Sequence, residues 1–551
     1  MNLAENARAT KSWTRFWPVL VPVIIAFAVY SWSVTFDFVS WDDDQNITQN
    51  PWFIKGEWWR FWYEHFVGMF VPVVYTVWYA LFSQIKPPDP RLFHGLNVVI
   101  HAVNTGMVCY FAYNFVPRDA RKDPKIKLAI VLAGVLFGLH PLQVEAVGWV
   151  TGLRDLLCCF LVLVAAQYSL SQRWVLWREI IASLAYILAL LCKPSAAVVP
   201  VALGLLALAE DHRRWRLILV RYVPWLVLGL VAVIATKDIQ TEVISFAVPD
   251  LPWPTRVLVA MDSYGFYLGK LFWPLNLAVD YGRTPEKMVN ETLYVWPVII
   301  LITSTSIFAA ALRKLTKKEI AALAFAVIAL APTSGIVRFA YQHVSTVADH
   351  YMYLPLVGIA VFVMSLASRM PQSWLLCLVI SLGSIGGILT LRRLPVWRND
   401  KTLFSSMLSS NPESYGANIG MLAIAMREER FQDGIPYLRE AERLEPTNVV
   451  TLLDKWLLYV KLGRFQEVAS DMPGHMLTKE QILANPNSRS TIGGQYVVLS
   501  FALMQLGDYK KSFEIACLAR FAYPEHQDLP SFFPYLGGKL GLELPAEQWC
   551  R

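Results

Sequence analysis

Residues 17–45 read WPVLVPVIIAFAVYSWSVTFDFVSWDDDQ. The first twenty, Trp17 to Phe36, carry no charge, and about 20 apolar residues is what a helix needs to cross ~30 Å of hydrocarbon. Soon after them stand Asp42, Asp43 and Asp44, three adjacent acids that repel one another and are costly to hold beside lipid. The pairing predicts a membrane helix that opens onto a charged surface loop. Working outward, comparable apolar runs recur at 94–116, 128–139, 156–170, 177–192, 195–209, 217–235, 292–312, 320–337, 351–368 and 372–391. Eleven spans are therefore expected. Residues 256–280 are a twelfth candidate, where Asp262 and Lys270 make an interfacial or re-entrant helix an equal reading. Residues 17–36 read as a signal anchor, being too long and lacking a small-residue cleavage site for a removable signal peptide.

Composition agrees. Of 551 residues, 17% are charged and 55% hydrophobic, and the mean hydropathy is +0.41; soluble domains carry about a quarter charged residues. The deficit is uneven. Residues 392–551 hold 36 of the 91 Asp, Glu, Lys and Arg residues, 18 of each sign, whereas residues 1–391 hold 55. A membrane domain over 1–391 and a neutral, soluble-type domain over 392–551 are expected, both all-α. A single soluble globule and a nucleic-acid binder with a general basic surface are excluded.

Orientation follows from Lys and Arg in short loops. With the N-terminus inside, the inner segments hold Arg8, Lys11 and Arg15, the 117–127 loop, Arg173 and Arg178, Arg213 to Arg221, the 313–318 loop and Arg369. That is 19 of the 31 bases of residues 1–391 with only seven acids. An odd number of spans then places the first loop, 37–93, and residues 392–551 outside the cytoplasm.

The tail repeats itself. Glu429-Arg430-Phe431-Gln432 recurs as Gly463-Arg464-Phe465-Gln466, 34 residues on, and Leu506-Gly507-Asp508-Tyr509-Lys510 lies 44 residues further, implying an insertion within 471–494. A 34-residue period with a turn before an aromatic resembles the tetratricopeptide repeat, an α-solenoid that usually offers a peptide-binding groove; packing alone is the plain alternative. Cys109, Cys158, Cys159, Cys192 and Cys377 lie in or beside spans and read as small apolar residues, while Cys517 and Cys550 can pair in an oxidising compartment. Asn46 and Asn290 begin glycosylation sequons.

Loop 37–93 is rich in aromatics (Trp52, Trp58, Trp59, Trp62, Tyr63, Tyr75, Trp78 and Tyr79), rings that prefer the membrane interface. The acids are therefore expected on the outer leaflet surface. A plain topogenic turn accounts for one aspartate more easily than for three. Further polar residues stand where a simple span would not keep them: His140 and Glu145 in HPLQVEAVGW, Arg154-Asp155, Lys193-Pro194, Arg338, His343, and Asp349-His350-Tyr351. Each alone reads equally as an anchor or cap. Together, cations and acids on one face suit an anionic lipid headgroup.

The segments FVSWDDDQNITQNPW, VPVVYTVWYALF, RLFHGLNVVIHAVN, HPLQVEAVGWVTGLRDLL, CKPSA and ADHYMYLPL occur in this order. With the repeats, they resemble the transmembrane and tetratricopeptide-repeat O-mannosyltransferases and their bacterial relatives, in the GT-C glycosyltransferase superfamily. The resemblance implies a polytopic fold of about 11–12 membrane helices followed by the repeat solenoid. It also implies transfer of a sugar from a polyprenyl-phosphate carrier to a protein hydroxyl on the non-cytoplasmic face. Asp42-Asp43 match the family's acidic pair and Arg154 the arginine after the H-P-x3-E motif. Lys193 matches a lysine that the family often follows with glutamate, and His350 stands where an arginine is usual. The shorter repeat array implies a bacterial member, in the inner membrane.

The expected mechanism is an inverting single displacement. Asp42 or Asp43 is the general base, Arg154, Lys193, His140 and Arg338 meet the donor phosphate, and Glu145, Asp44, Asp349, His350 and Tyr351 orient substrate. No cofactor is expected; Mg²⁺ or Mn²⁺ on Asp42, Asp43 and Asp44 is the alternative, suited to a diphosphate donor. Expected partners are the lipid-linked sugar, an acceptor protein held by the repeats, and membrane lipids, with no nucleic acid. The rival reading is a non-catalytic membrane anchor presenting a repeat scaffold for envelope or secretion assemblies.

Overall fold

The computed structural model describes residues 3–171, 174–247, 250–475, 479–484, 489–542 and 550; Arg173, one of the inner bases, lies outside them. Two compact units form, Met1–Asn411 and Pro412–Arg551. Among the described residues all regular structure is helical, apart from a single bridge between Phe66 and Met69. The α-helices of seven or more residues are numbered in chain order.

In the first unit these are α1 (Leu3–Tyr30), α2 (Pro72–Phe82), α3 (Pro90–Phe115), α4 (Pro124–Gly138), α5 (Leu153–Ser169), α6 (Leu176–Leu190) and α7 (Val199–Glu210). There follow α8 (Trp215–Ala247), α9 (Trp253–Phe272), α10 (Val295–Ala311), α11 (Lys317–Leu330), α12 (Pro355–Ala367), α13 (Gln372–Arg393) and α14 (Asp400–Ser410). Helix α4 is the hub, packed against α1, α3, α12 and α13. Beyond its first turn it is apolar all round, as a helix buried on every side must be, and Ala129, Ile130, Leu132 and Ala133 are wholly buried.

Each of the eleven expected spans carries a helix. Six of the described helical segments are long and apolar enough to cross a membrane alone, and the bent pair Pro124–Gly138 and Pro141–Gly148 makes a seventh. These fit a multi-pass membrane protein. His140-Pro141 bends that pair, and Lys193-Pro194, Pro332 and the residues before Pro355 interrupt several of the other apolar helices. Proline ends a helix by lacking an N–H and by restricting the residue before it. Irregular backbone at membrane depth persists only where protein covers it, and these interruptions supply the polar residues of the candidate site. The twelfth candidate, 256–280, overlaps α9 (Trp253–Phe272), a helix of 20 residues with Asp262 buried against Arg283.

The second unit stacks helical hairpins: α15 (Tyr415–Arg427) with α16 (Phe431–Leu444), α17 (Val449–Lys461) with α18 (Phe465–Asp471), and α19 (Arg489–Gln505) with α20 (Tyr509–Ala522), closed by α21 (Leu529–Leu540). The repeat is visible in the backbone. Glu429, Gly463 and Gly507 have φ of 56°, 74° and 83°, one left-handed residue per turn; glycine takes this conformation without strain, and glutamate does not. Trp456, Tyr496 and Phe533 lie in the core between hairpins. Cys517 and Cys550 form a disulfide.

Candidate functional site

The acidic loop is held from both sides. Ser40 donates from its backbone N–H and its hydroxyl to Asp400, at 2.6 and 3.1 Å, and Trp149 Nε1 donates to the Trp41 carbonyl at 2.8 Å. Between these anchors Asp42 adopts φ 78°, a conformation aspartate tolerates better than most residues. Its carbonyl accepts from Asn46 Nδ2 at 2.9 Å, and Asn46 Oδ1 accepts from Tyr75 at 2.6 Å. Asn46 is therefore buried and engaged, whereas Asn290 of the second sequon is exposed.

This turn sends the three aspartates different ways. Asp43 points inward and is wholly buried. Its Oδ1 accepts from the Thr151 hydroxyl at 2.7 Å and the Thr151 N–H at 3.1 Å, and its Oδ2 from the Val39 N–H at 3.1 Å. Burial pushes its carboxyl up to about 7, against the pull of those donors. Asp42 keeps 45% of its side chain exposed, with Oδ2 at 3.8 Å from Arg154 Nη2. Enclosure raises its pKa above the ordinary carboxylate value, Arg154 opposing and Asp44 adding to the shift. Asp44 accepts from the Gln45 N–H at 2.9 Å. Arranged this way, the three carboxylates do not form a cage for a divalent ion. Among the described residues no group of three His, Cys, Asp or Glu side chains converges as metal ligands would.

Thr151 is the pivot. Besides holding Asp43, its carbonyl accepts from Arg154 Nε at 3.2 Å. The tight turn there requires Gly152, since a Cβ would lie 2.2 Å from the Ala146 carbonyl oxygen. The Arg154 guanidinium lies 5.6 Å from the centroid of the Trp149 ring, which stacks on Trp397 at 5.6 Å. One residue on, Asp155 accepts from Lys193 Nζ at 2.6 Å, and the ammonium stands 5.4 Å from the Tyr351 ring. Asp155, Lys193, Ser195, Thr333 and Tyr351 line a small cleft there together with the apolar Cys158, Ala329 and Leu354.

Glu145 latches the last motif. Its Oε2 accepts from the Asp349 N–H at 2.8 Å and the His350 N–H at 3.3 Å, and its Oε1 shares a hydrogen bond with His350 Nδ1 at 2.9 Å. Burial, then the neighbouring Lys193, lowers His350 to about 3, so the ring is neutral where an arginine would be a permanent cation, and burial likewise pushes the Glu145 carboxyl up to about 8. Asp349 accepts from the Tyr281 hydroxyl at 2.6 Å. Burial and Glu145 push it up to about 7, with Arg393, Tyr281 and Lys270 opposing.

The structure thus gathers Asp42, Asp43, Arg154, Lys193, Glu145, Asp349, His350 and Tyr351 into one contact network, with Asp44 at its edge. His140 is turned to the backbone, Nδ1 accepting from the Leu142 N–H at 3.3 Å and Nε2 donating to the Leu271 carbonyl at 3.1 Å. Arg338 pairs with Asp250 at 3.7 Å. Sequence reading missed Thr151, Trp149, Tyr281 and Arg393. The hydroxyl two residues after a tryptophan and three before Arg154 gave no signal of its own, because its partner Asp43 is 108 positions away.

No known family profile matches the chain, and no solved structure matches it. Sequence similarity does appear with Protein O-mannosyl-transferase Tmtc1 of Drosophila melanogaster, 24% identical over 65% of this chain and 52% of that protein. It also appears with Protein O-mannosyl-transferase TMTC3 of Mus musculus, 22% identical over 72% of this chain and 46% of that protein. The chain spans about half the length of these curated relatives. As distant homologues they support a relationship with the transmembrane and tetratricopeptide-repeat O-mannosyltransferases.

Proposed function

We propose that the chain is a membrane glycosyltransferase that moves a sugar, mannose or another hexose, from a polyprenyl-phosphate donor to a hydroxyl of a protein acceptor on the non-cytoplasmic face. The observation that carries the reading is the division of labour in the acidic loop. Asp43 is buried and fully bonded, while Asp42 stands half-exposed beside Arg154, whose neighbour Asp155 pairs with Lys193. Asp42 is the base and Asp43 the residue that positions it. The acceptor oxygen attacks the anomeric carbon as Asp42 takes its proton, and the bond from that carbon to the phosphate oxygen breaks with inversion. The leaving phosphate carries the electron pair, and Arg154 and Lys193 stabilise its charge. The names of the two distant relatives favour the transfer of mannose to a protein oxygen.

The N-terminus lies in the cytoplasm of a bacterial inner membrane under this reading, and the helical repeats lie outside, where they take the acceptor polypeptide. The basic inner loops and the Cys517–Cys550 disulfide support that orientation, since disulfides persist in oxidising compartments. The test is transfer of mannose from polyprenyl-phosphate-mannose to an acceptor peptide by purified protein. Asp42→Asn should lose about 10²–10⁴-fold in rate, the usual share of a general base; a wild-type rate overturns the mechanism. Activity surviving EDTA supports a monophosphate donor, and its strict loss a metal-dependent diphosphate donor.

A further inference from the structure

A second feature of the membrane unit lies far from the acidic loop. Helices α6 and α8 run side by side in parallel: Arg221 pairs with Glu179, Trp225 Nε1 donates to Ser183 Oγ at 3.0 Å, and Tyr186 donates to the Trp225 carbonyl at 3.0 Å. Their outward faces leave a groove of about 530 Å³, lined mainly by Ile180, Leu184, Ile187, Val220 and Leu228. At its head the Arg221–Glu179 pair is buried, with side chains 4% and 9% exposed. That pair is neutral as a unit and ties the two helices together.

The rim above it is basic and aromatic. Three exposed tryptophans each meet a guanidinium there: Trp174 with Arg221 at 5.7 Å, Trp177 with Arg178 at 5.2 Å, and Trp215 with Arg216 at 5.3 Å. Arg213 and Arg214 lie in the adjoining turn, where Arg214 pairs with Asp211. With Glu179 matched by Arg221 and Asp211 by Arg214, the rim keeps a net positive charge. Tryptophan collects at the headgroup level of a bilayer, so this rim marks a membrane surface, and the groove descends from it into the hydrocarbon. Basic pockets between membrane helices suit anionic headgroups.

We infer that the α6–α8 groove binds an anionic glycerophospholipid, one acyl chain lying between the helices and the phosphate at the basic rim, to which Arg178 and Arg216 contribute charge. The carrier of the proposed reaction belongs elsewhere. Arg154 stands at the start of α5, whereas Ser169, whose carbonyl accepts from Arg221, closes it. A helix of 17 residues separates these ends by about 25 Å, so the groove's rim and the Arg154–Lys193 cluster lie at opposite ends of the same bundle. A lipid bound here bridges α6 and α8 without entering the acidic site.

The test uses the full-length protein in neutral detergent, titrated with phosphatidylglycerol, with phosphatidylcholine of the same chains and with polyprenyl phosphate, bound lipid being counted by native mass spectrometry. Each cation near an anionic headgroup is worth about fivefold, so phosphatidylglycerol should win over phosphatidylcholine by roughly 30-fold if two cations act. The double variant Arg178→Gln/Arg216→Gln should bring that preference close to unity. Leu184→Trp, which fills the groove, should lower retention of both phospholipids. Should Leu184→Trp fail to fold by circular dichroism, Ile187→Trp, also at an exposed position, serves instead. Equal binding of the two phospholipids to the wild type overturns the inference. So does unchanged retention in the filled groove, or displacement of phosphatidylglycerol by polyprenyl phosphate.

Discussion

Thr151→Val is the sharpest probe of the acidic loop, because it removes one donor and almost no volume. The hydroxyl lies 2.7 Å from Asp43 Oδ1, and both residues are wholly buried. A hydrogen bond to a charged group contributes about 1.5–3 kcal/mol. At 1.36 kcal/mol per pKa unit, its loss should lift the Asp43 carboxyl about 1–2 units above its present value of about 7. The sign then follows from proton binding. Asp43 ionises near 7 when folded and near 3.9 when unfolded, so between those values the folded state holds a proton that the unfolded state lacks. Stability from this group therefore falls as pH rises through that window and levels off above it. In Thr151→Val the window extends upward. The penalty should be about 1.5–3 kcal/mol at pH 9 and shrink to about 0.5–1.5 kcal/mol at pH 5, where Asp43 is neutral in both proteins. Thermal melts of the purified protein in detergent at the two pH values measure it. An equal shift at pH 5 and pH 9 would refute the idea that Thr151 holds a titrating carboxylate.

Three further outcomes are expected. Glu145→Ala should strand the N–H groups of Asp349 and His350 at about 1–3 kcal/mol each, while Glu145→Gln, which keeps a carbonyl for them, should melt closer to the wild type; identical melts for both would contradict the latch. Gly463→Ala puts a Cβ on a residue with φ 74°, costing about 1–2 kcal/mol, and should speed proteolysis within 412–551 more than Gly474→Ala does. Cys517 and Cys550 should resist maleimide labelling until reduced; labelling of both in untreated, denatured protein would show that the bridge is absent.

Much of this molecule was legible from order and composition, and the reason is physical. Hydrocarbon accepts few charges, so an apolar run such as Trp17–Phe36 announces itself without a partner. A 34-residue period shows because each hairpin repeats one local turn, as Glu429 and Gly463 do. The carboxylates and cations of the site also stood out, since a charge at a membrane face is costly and hence rare. Their roles did not. Asp42 and Asp43 are adjacent and chemically identical, and only the left-handed turn at Asp42 decides that one faces Arg154 while the other is bonded to Thr151 and Val39. His140 looked like a phosphate ligand until its ring nitrogens met the Leu142 and Leu271 backbone.

The sequence by itself determined what must be local: which segments are helical and apolar, where proline ends them, and that the tail repeats. The tertiary structure decided what depends on distant partners. Glu145 and His350 meet across 205 positions, and Asp43 and Thr151 across 108. Whether a buried carboxylate works as a base or as a strut is set by the donors that reach it, and those arrive only when α1, α4, α5 and α12 have packed.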